Sequence, residues 1–534
     1  MAPISGQAQI DLSLAALPKY TIFSILRIFI AYVFSLVFSI GYGYIAAYYP
    51  RAERVMIPLL DTLQSIPVLS FLPGVMVSMV ALFPTRELGV ELGSILLIFT
   101  GQVWNMAFSF YSSLKSIPRE MQEVAQTYRW SRWQRLTQLE LPFSAIGMIW
   151  NSIMSVAGGW FFLIACEMFT LGDRDLRLPG LGSYLQTAAN DGNLTALGAG
   201  LVVMVGVVIC TDLMVWRPVI AWADKFKFEQ VEGAEAPKSA ILTLLRYSRL
   251  LSSVNSFALQ PLRERVNLHF ARQNLRAVGA SRRSSPASLV TRVLLLVFGA
   301  GLAYGIVRMM ALLASTSIAE LRAILIGAAA TFLRVEFVLL LAALWTVPVG
   351  VMIGLNRRLG SIAQPLTQVA ASVPATALFP IILLALIRIG GGLGVGSIVL
   401  LLLGTQWYIL FNVIAGALAL PTDLKEVCGV FGFKRRDRWR TFFLPGIFPY
   451  LITGLVTASG GAWNASIIAE YFHFKGRTYS TTGLGAVISY ATDSGNLRLL
   501  LAATVVMAAM VVTINRLVWR RLYALASTRF KLDS

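Results

Sequence analysis

Long apolar stretches alternate with short polar ones along the whole chain, and they set the first expectation. Spans are expected at about 21–48, 55–82, 93–114, 144–168 and 199–220. They recur at about 292–314, 328–354, 362–388, 395–418, 446–470 and 499–521. These runs match the length that a helix needs to cross a hydrocarbon core. They are continuous rather than alternating, which excludes a membrane β-barrel. The pattern predicts an all-α integral membrane protein.

The polar segments carry a second pattern. Residues 123–142 read EVAQTYRWSRWQRLTQLELP and residues 426–445 read EVCGVFGFKRRDRWRTFFLP. Each is a basic island running from a glutamate to a Leu-Pro, and the two lie 303 positions apart. The same offset pairs Trp104 with Trp407, Gly158 with Gly461, Trp160 with Trp463 and Glu167 with Glu470. It also pairs Gly180 with Gly483, Gly182 with Gly485 and Asn193 with Asn496. Upstream, Ile66-Pro67 matches Val373-Pro374 at 307. So many matches at one spacing indicate an internal repeat. The 21–48 span aligns with 328–354, so the first half lacks one leading helix. The expected architecture is five plus six spans, about 11 in all, with residues 1–220 and 292–534 as the two halves.

An even number of spans in the second half leaves both repeats with one orientation, a parallel repeat about an axis along the membrane normal. The islands, the RAER run at 51–54, Arg357-Arg358 and the tail are all basic. They fall on one side, which the positive-inside rule makes cytoplasmic, together with the C-terminus. The first 20 residues then lie outside.

Composition narrows the function classes. Of 534 residues 57% are hydrophobic and only 13% charged, with mean hydropathy +0.70. The net charge of +19 reads as basic cytoplasmic loops rather than a nucleic-acid surface. Three scattered cysteines and two distant histidines give no metal-binding spacing. Residues 1–18 hold no Lys or Arg, so they do not read as a secretory signal peptide. Residues 221–291 are polar and basic, and join the halves as a cytoplasmic linker. That linker reads as a tether whose basic amphipathic helix lies on anionic lipid, or as a regulatory surface. The chain has no Gly-Lys dipeptide and so no phosphate loop; any ATP hydrolysis belongs to another chain.

At the islands the chain resembles the permeases of binding-protein-dependent ABC importers, whose EAA loop has a glycine at its seventh place and a closing Leu-Pro. The second island carries Glu426, Gly432, Leu444 and Pro445; the first carries Glu123, Ala125, Leu141 and Pro142. Arg129 stands where the glycine is usual, which leaves a continuous or differently turned helix open in the first half. The segments SIPVLSFLP (65–73), SVPATALFP (372–380) and FNVIAGALALP (411–421) are similar to the nitrate/sulfonate/taurine branch of that superfamily. The resemblance implies two fused permease bundles of the type I importer fold in a bacterial inner membrane. It also implies two separate ATP-binding-cassette subunits that hold ATP and Mg, an extracytoplasmic solute-binding protein, and a small anion as cargo. No cofactor is expected in this chain.

The island would be a short helix, a turn and a second helix ending at the proline, with the proline starting the next span. Tyr128, Trp130, Phe431 and Phe433 either fill a partner's pocket or lie in the headgroup layer. Gln102, Trp104, Asn105, Gln406, Trp407, Asn412, Trp160 and Trp463 are candidate pathway residues, with interhelical hydrogen bonding as the competing account of the polar ones. Glu167 and Glu470, near outer span ends, read as solvated or backbone-bonded interfacial carboxylates, or as an outer gate. An ion-coupled secondary transporter and a non-transporting scaffold are the alternatives. The first would need buried acids or broken helices at mid-span, and the second leaves the matched islands unexplained.

Overall fold

The computed structural model describes residues 10–83, 85–171, 174–226, 289–388, 392–420, 430–474 and 477–529, and residues 243, 260–261 and 264–265. Most of the expected 221–291 linker lies outside these residues. The first half comprises α1 (Leu17–Tyr48), α2 (Pro50–Ser65), α3 (Val68–Leu82), α4 (Arg86–Lys115) and α5 (Arg119–Thr127). It continues with α6 (Arg132–Glu167), α7 (Leu181–Asn190) and α8 (Leu194–Ala223). After α9 (Leu289–Ala314) come α10 (Ile318–Leu355), α11 (Arg357–Ser372), α12 (Ala375–Arg388) and α13 (Leu393–Leu418). The second half closes with α14 (Arg435–Ala469), α15 (Leu484–Asp493) and α16 (Leu497–Ala526). Two short antiparallel hairpins follow α6 and α14: β1–β2 (Thr170–Leu171, Arg174–Asp175) and β3–β4 (Tyr471–Phe474, Arg477–Ser480). Among the described residues, eight continuous helices are long and apolar enough to cross a bilayer.

Two expected spans are not straight. The run expected at 55–82 is α2 and α3, meeting at 96°. Pro67 is the cause: the residue before a proline is driven out of the helical region, and Ile66 is extended at φ −78°, ψ 126°. The run expected at 362–388 breaks the same way, with Val373 at φ −77°, ψ 118° before Pro374. The first pair still passes from one end of α4 to the other. Glu53 accepts from Tyr111 Oη (2.6 Å) and Lys115 Nζ (2.9 Å) at one end. At the other end a Cβ on Gly89 would lie 2.7 Å from the Cα of Val80. The span expected at 93–114 begins earlier, at Arg86, and takes Glu87 and Glu91 into its first turns.

Within each half α1, α4 and α6, or α10, α13 and α14, pack side by side. Asn193 and Asn496 match because each caps a last span: their side chains accept from Ala196 N–H (3.0 Å) and Leu499 N–H (3.1 Å). The halves interlock through the broken pairs. Leu69 N–H donates to Asn464 Oδ1 (3.3 Å), Thr504 Oγ1 to the Ser70 carbonyl (3.0 Å) and Asn515 Nδ2 to Ser65 Oγ (2.7 Å). Reciprocally, α11 packs on α6 and α8, and α12 on α6 and α7.

Candidate functional site

The islands place one aromatic side chain beside one left-handed residue, twice. Arg129 has φ +50° and Gly432 φ +61°; Arg129 is the one described non-glycine residue with positive φ. The turn therefore survives the loss of glycine, and the alternative of a continuous first-half helix is overturned. Hydrogen bonding explains it. Arg129 N–H donates to the Gln126 carbonyl (2.9 Å) and Trp130 N–H to the Ala125 carbonyl (3.0 Å). This is the bond pair of a helix that ends through a left-handed residue. Ser131 then opens α6 with a reciprocal cap: its hydroxyl accepts from Gln134 N–H (3.2 Å) while its own N–H donates to Gln134 Oε1 (2.9 Å).

Immediately before each left-handed residue stand Tyr128 and Phe431, related by the 303-residue offset, 73% and 71% exposed. Val124 and Val430 are exposed beside them, as is Glu123, while Ala125 is buried under α5. Glu426 lies outside the described residues. Leu141 and Pro142 are half-buried, as is Pro445, and Leu444 is exposed. Pro142 and Pro445 stand in the first turn of the α-helical stretches Leu141–Glu167 and Leu444–Ala469, as expected, but not at a break in the backbone. The helices run through them, from Arg132 to Glu167 and from Arg435 to Ala469. Each is preceded by a wider turn at Leu136–Glu140 or Arg438–Phe443. Leu141 N–H reaches back to the Leu136 carbonyl, and Leu444 N–H to that of Trp439. Shifting the bonding by one residue makes room for a proline that offers no N–H.

At the other end of α6 and α14 lie Glu167 and Glu470, both 0% exposed, which excludes the solvated reading. Glu167 accepts from Arg27 Nη1 (2.8 Å), Ser24 Oγ (2.7 Å) and Gly182 N–H (2.7 Å). Ser24 Oγ also accepts from Leu181 N–H (3.0 Å). Glu470 accepts from Arg334, Thr331 Oγ1 (2.7 Å) and Gly485 N–H (2.8 Å), and Leu484 N–H donates to Thr331 Oγ1 (2.8 Å). Each carboxylate is thus clamped between an arginine on α1 or α10 and the N-terminus of a short helix, α7 or α15. A helix N-terminus adds favourable dipoles to a negative charge. Gly180 and Gly483 recur because the carboxylate occupies the space a Cβ would need. The clamps differ at their rims. Arg27 also makes a bidentate pair with Glu91 (2.7 and 2.6 Å). Arg334 turns instead to the Thr482 carbonyl (2.9 Å) and Thr481 Oγ1 (3.4 Å).

The sequence reading missed Arg27, Arg334, Ser24 and Thr331. The signal was present, since both pairs are spaced by 307, the offset of Ile66-Pro67 and Val373-Pro374. An arginine inside an apolar run also needs a partner.

The candidate pathway residues scatter. A chamber of about 140 Å³ lies between α6 of the first half and α13, α14 and the α11–α12 break of the second. Trp407 lines it; Gln102, Trp104, Asn105, Gln406, Asn412, Trp160 and Trp463 do not. Gln102 is buried against Gly159, with both amide atoms unpartnered among the described residues. Asn105 pairs with Gln64 (3.2 Å) and Asn412 with the Tyr408 carbonyl (2.8 Å). Trp160 and Trp463 are buried. Among the described residues no cluster of three or more His, Cys, Asp or Glu could hold a metal ion.

Comparison with known proteins agrees with this duplicated layout. The chain is 28% identical over 193 residues to a putative ABC transporter permease of Methanocaldococcus jannaschii, covering 34% of this chain and 68% of that one. It is 30% identical over 162 residues to the nitrate import permease NrtB of Synechococcus elongatus, covering 30% and 54%. It is 27% identical over 185 residues to the taurine transport system permease TauC of Escherichia coli K12, covering 34% and 61%. For the last two, then, the aligned part is less than two thirds of the relative's length. The family described as binding-protein-dependent transport system inner membrane component matches twice, at residues 39–216 and 346–531. The chain belongs to that family, and carries its domain in duplicate.

Proposed function

We propose that this chain supplies both membrane halves of an ABC importer that moves a small anion of the nitrate, sulfonate, taurine or bicarbonate kind. The observation that carries the reading is the pair of islands. Each presents an exposed aromatic beside a left-handed turn, at the foot of a helix that runs unbroken through the bundle. Two ATP-binding-cassette subunits dock there from the cytoplasm, where the C-terminus also lies, and Tyr128 and Phe431 enter their pockets as anchors. ATP and Mg are held by those subunits. An extracytoplasmic binding protein delivers cargo to the opposite end, near the hairpins and the clamps.

ATP-driven closure of the subunit pair moves the islands. Because α6 and α14 continue into the bundle, the displacement reaches Glu167 and Glu470. The carboxylates pass it to α1 and α10 through the arginines, and to α7 and α15 through the helix N-termini. This gives the two acids a positioning role at the outer gate without contact with cargo.

Purification of the native complex in mild detergent tests the proposal. Two copies of a P-loop ATPase per chain are expected. A Tyr128→Ala/Phe431→Ala double variant should lose them while keeping its thermal midpoint. Retention of both ATPases by that variant would remove the docking role.

A further inference from the structure

The chamber between the halves contains a side chain that neither the islands nor the clamps use. Tyr408, on α13, stands between the equivalent glycines of the two repeats. A Cβ on Gly158 would lie 3.7 Å from its hydroxyl, and a Cβ on Gly461 3.3 Å from its Cε2. The two glycines keep space for one ring where the two post-island helices approach. Among the described residues the Tyr408 hydroxyl has no hydrogen-bond partner, and it faces the chamber. Its counterpart in the first half, Asn105, is engaged by Gln64 outside the chamber. The one other polar side chain in the lining besides Trp407 is Asn464, also from the second half, where the first half has Phe161. The remaining wall is aromatic and aliphatic, with Phe161, Phe162 and Phe411, and no described lining residue is charged.

These facts constrain an occupant. A small inorganic anion entering such a chamber loses its water and meets no cation, and it has no apolar body whose burial could offset that cost. A solute with an apolar body recovers part of that cost by burying the body against the aromatic wall. It needs few donors for a head whose charge is spread over several oxygens. Resting on the importer reading above, we infer that the chamber is a cargo subsite for a short alkyl- or arylsulfonate. The Tyr408 hydroxyl donates to the sulfonate, and the aromatic wall receives the carbon body. Tyr408 is then the residue that sets specificity, contributed by one half alone.

The test uses the full chain in lipid nanodiscs, with sodium benzenesulfonate, butanesulfonate, nitrate and bicarbonate as probes. Quenching of tryptophan fluorescence is the readout, and Trp407→Phe localises the signal. The two sulfonates should bind at least about tenfold more tightly than nitrate or bicarbonate. Tyr408→Phe, which keeps the ring, should weaken sulfonate binding about tenfold. Gly158→Val, which fills the chamber from the other wall, should abolish it. Equal or tighter binding of nitrate or bicarbonate overturns the inference, as does no binding of any probe. Unchanged sulfonate affinity in both variants overturns it too. Energised uptake by cells carrying the complete transporter is scored separately. Uptake of nitrate or bicarbonate without sulfonate binding leaves the importer reading standing and removes this one.

Discussion

The two buried clamps share a design and differ in one carboxylate, so they should respond unequally to the same change. Glu167→Gln and Glu470→Gln each replace a buried carboxylate by a neutral isostere. Removing one partner of a buried ion pair costs about 3–5 kcal/mol, mostly because the other charge is left uncompensated. In the second half that is the situation of Arg334, whose remaining partners are a carbonyl and a hydroxyl. Its loss should sit in that range. In the first half Arg27 keeps the bidentate bond to Glu91 and a bond to the Pro179 carbonyl (2.8 Å). Its charge stays compensated, and the loss should approach that of a charge-assisted hydrogen bond, about 1.5–3 kcal/mol. The expected difference is about 2 kcal/mol, with Glu470→Gln the more damaging. Adding Glu91→Gln to Glu167→Gln should remove the protection, so their combined cost exceeds the sum of the single costs. Reversible unfolding in mixed detergent micelles, followed by far-UV circular dichroism, measures all four variants. Equal losses at Glu167 and Glu470, or strict additivity between Glu91 and Glu167, would refute the argument.

Other outcomes follow from the same geometry. Gly432→Ala should cost about 1 kcal/mol, because its Cβ meets no neighbour and only the left-handed backbone is strained; thermal unfolding checks this. Gly180→Ala should cost about 3 kcal/mol, since the new methyl overlaps the Glu167 carboxylate; a cost below that of Gly432→Ala would contradict the packing described. Tyr128→Ala and Phe431→Ala should each weaken ATPase docking by about 2 kcal/mol and leave unfolding unchanged. Pull-down titration against the purified ATPase reads the first and thermal unfolding the second.

Periodicity and repetition made much of this fold legible in advance. Continuous apolar runs located the long helices, and a single offset paired Glu167 with Glu470 and Gly180 with Gly483 before their contact was known. What the runs hid were the bends. Hydropathy sums over a window and does not register that Pro67 and Pro374 drive the preceding residue to extended geometry. The clamps were half visible. The acids stood at span ends, where charge draws notice, but Arg27 and Arg334 lay inside apolar runs, in a stretch that follows the other offset. The pathway residues were least legible. Polarity within a span does not reveal which way a side chain faces: Gln102 is buried behind Gly159, while Tyr408 reaches the chamber. The turn at Arg129 shows the opposite limit. Residue type argued against a left-handed conformation, and the bond pair at the end of α5 imposed it.

The unbroken course of α6 makes it a lever. Its 36 residues span about 54 Å at 1.5 Å per residue, against about 30 Å of hydrocarbon. On the importer reading, an ATPase at the island would push on one end of this rod while the load sits at Glu167 on the other. A rigid tilt of about 5° about one end moves the other by about 5 Å, roughly one helical turn. The wider turn at Leu136–Glu140, near the foot of this rod, is where it would bend first, so stiffness there decides how much of the motion is passed on. On that reading, a small tilt at the island becomes a displacement of about one helical turn at Glu167.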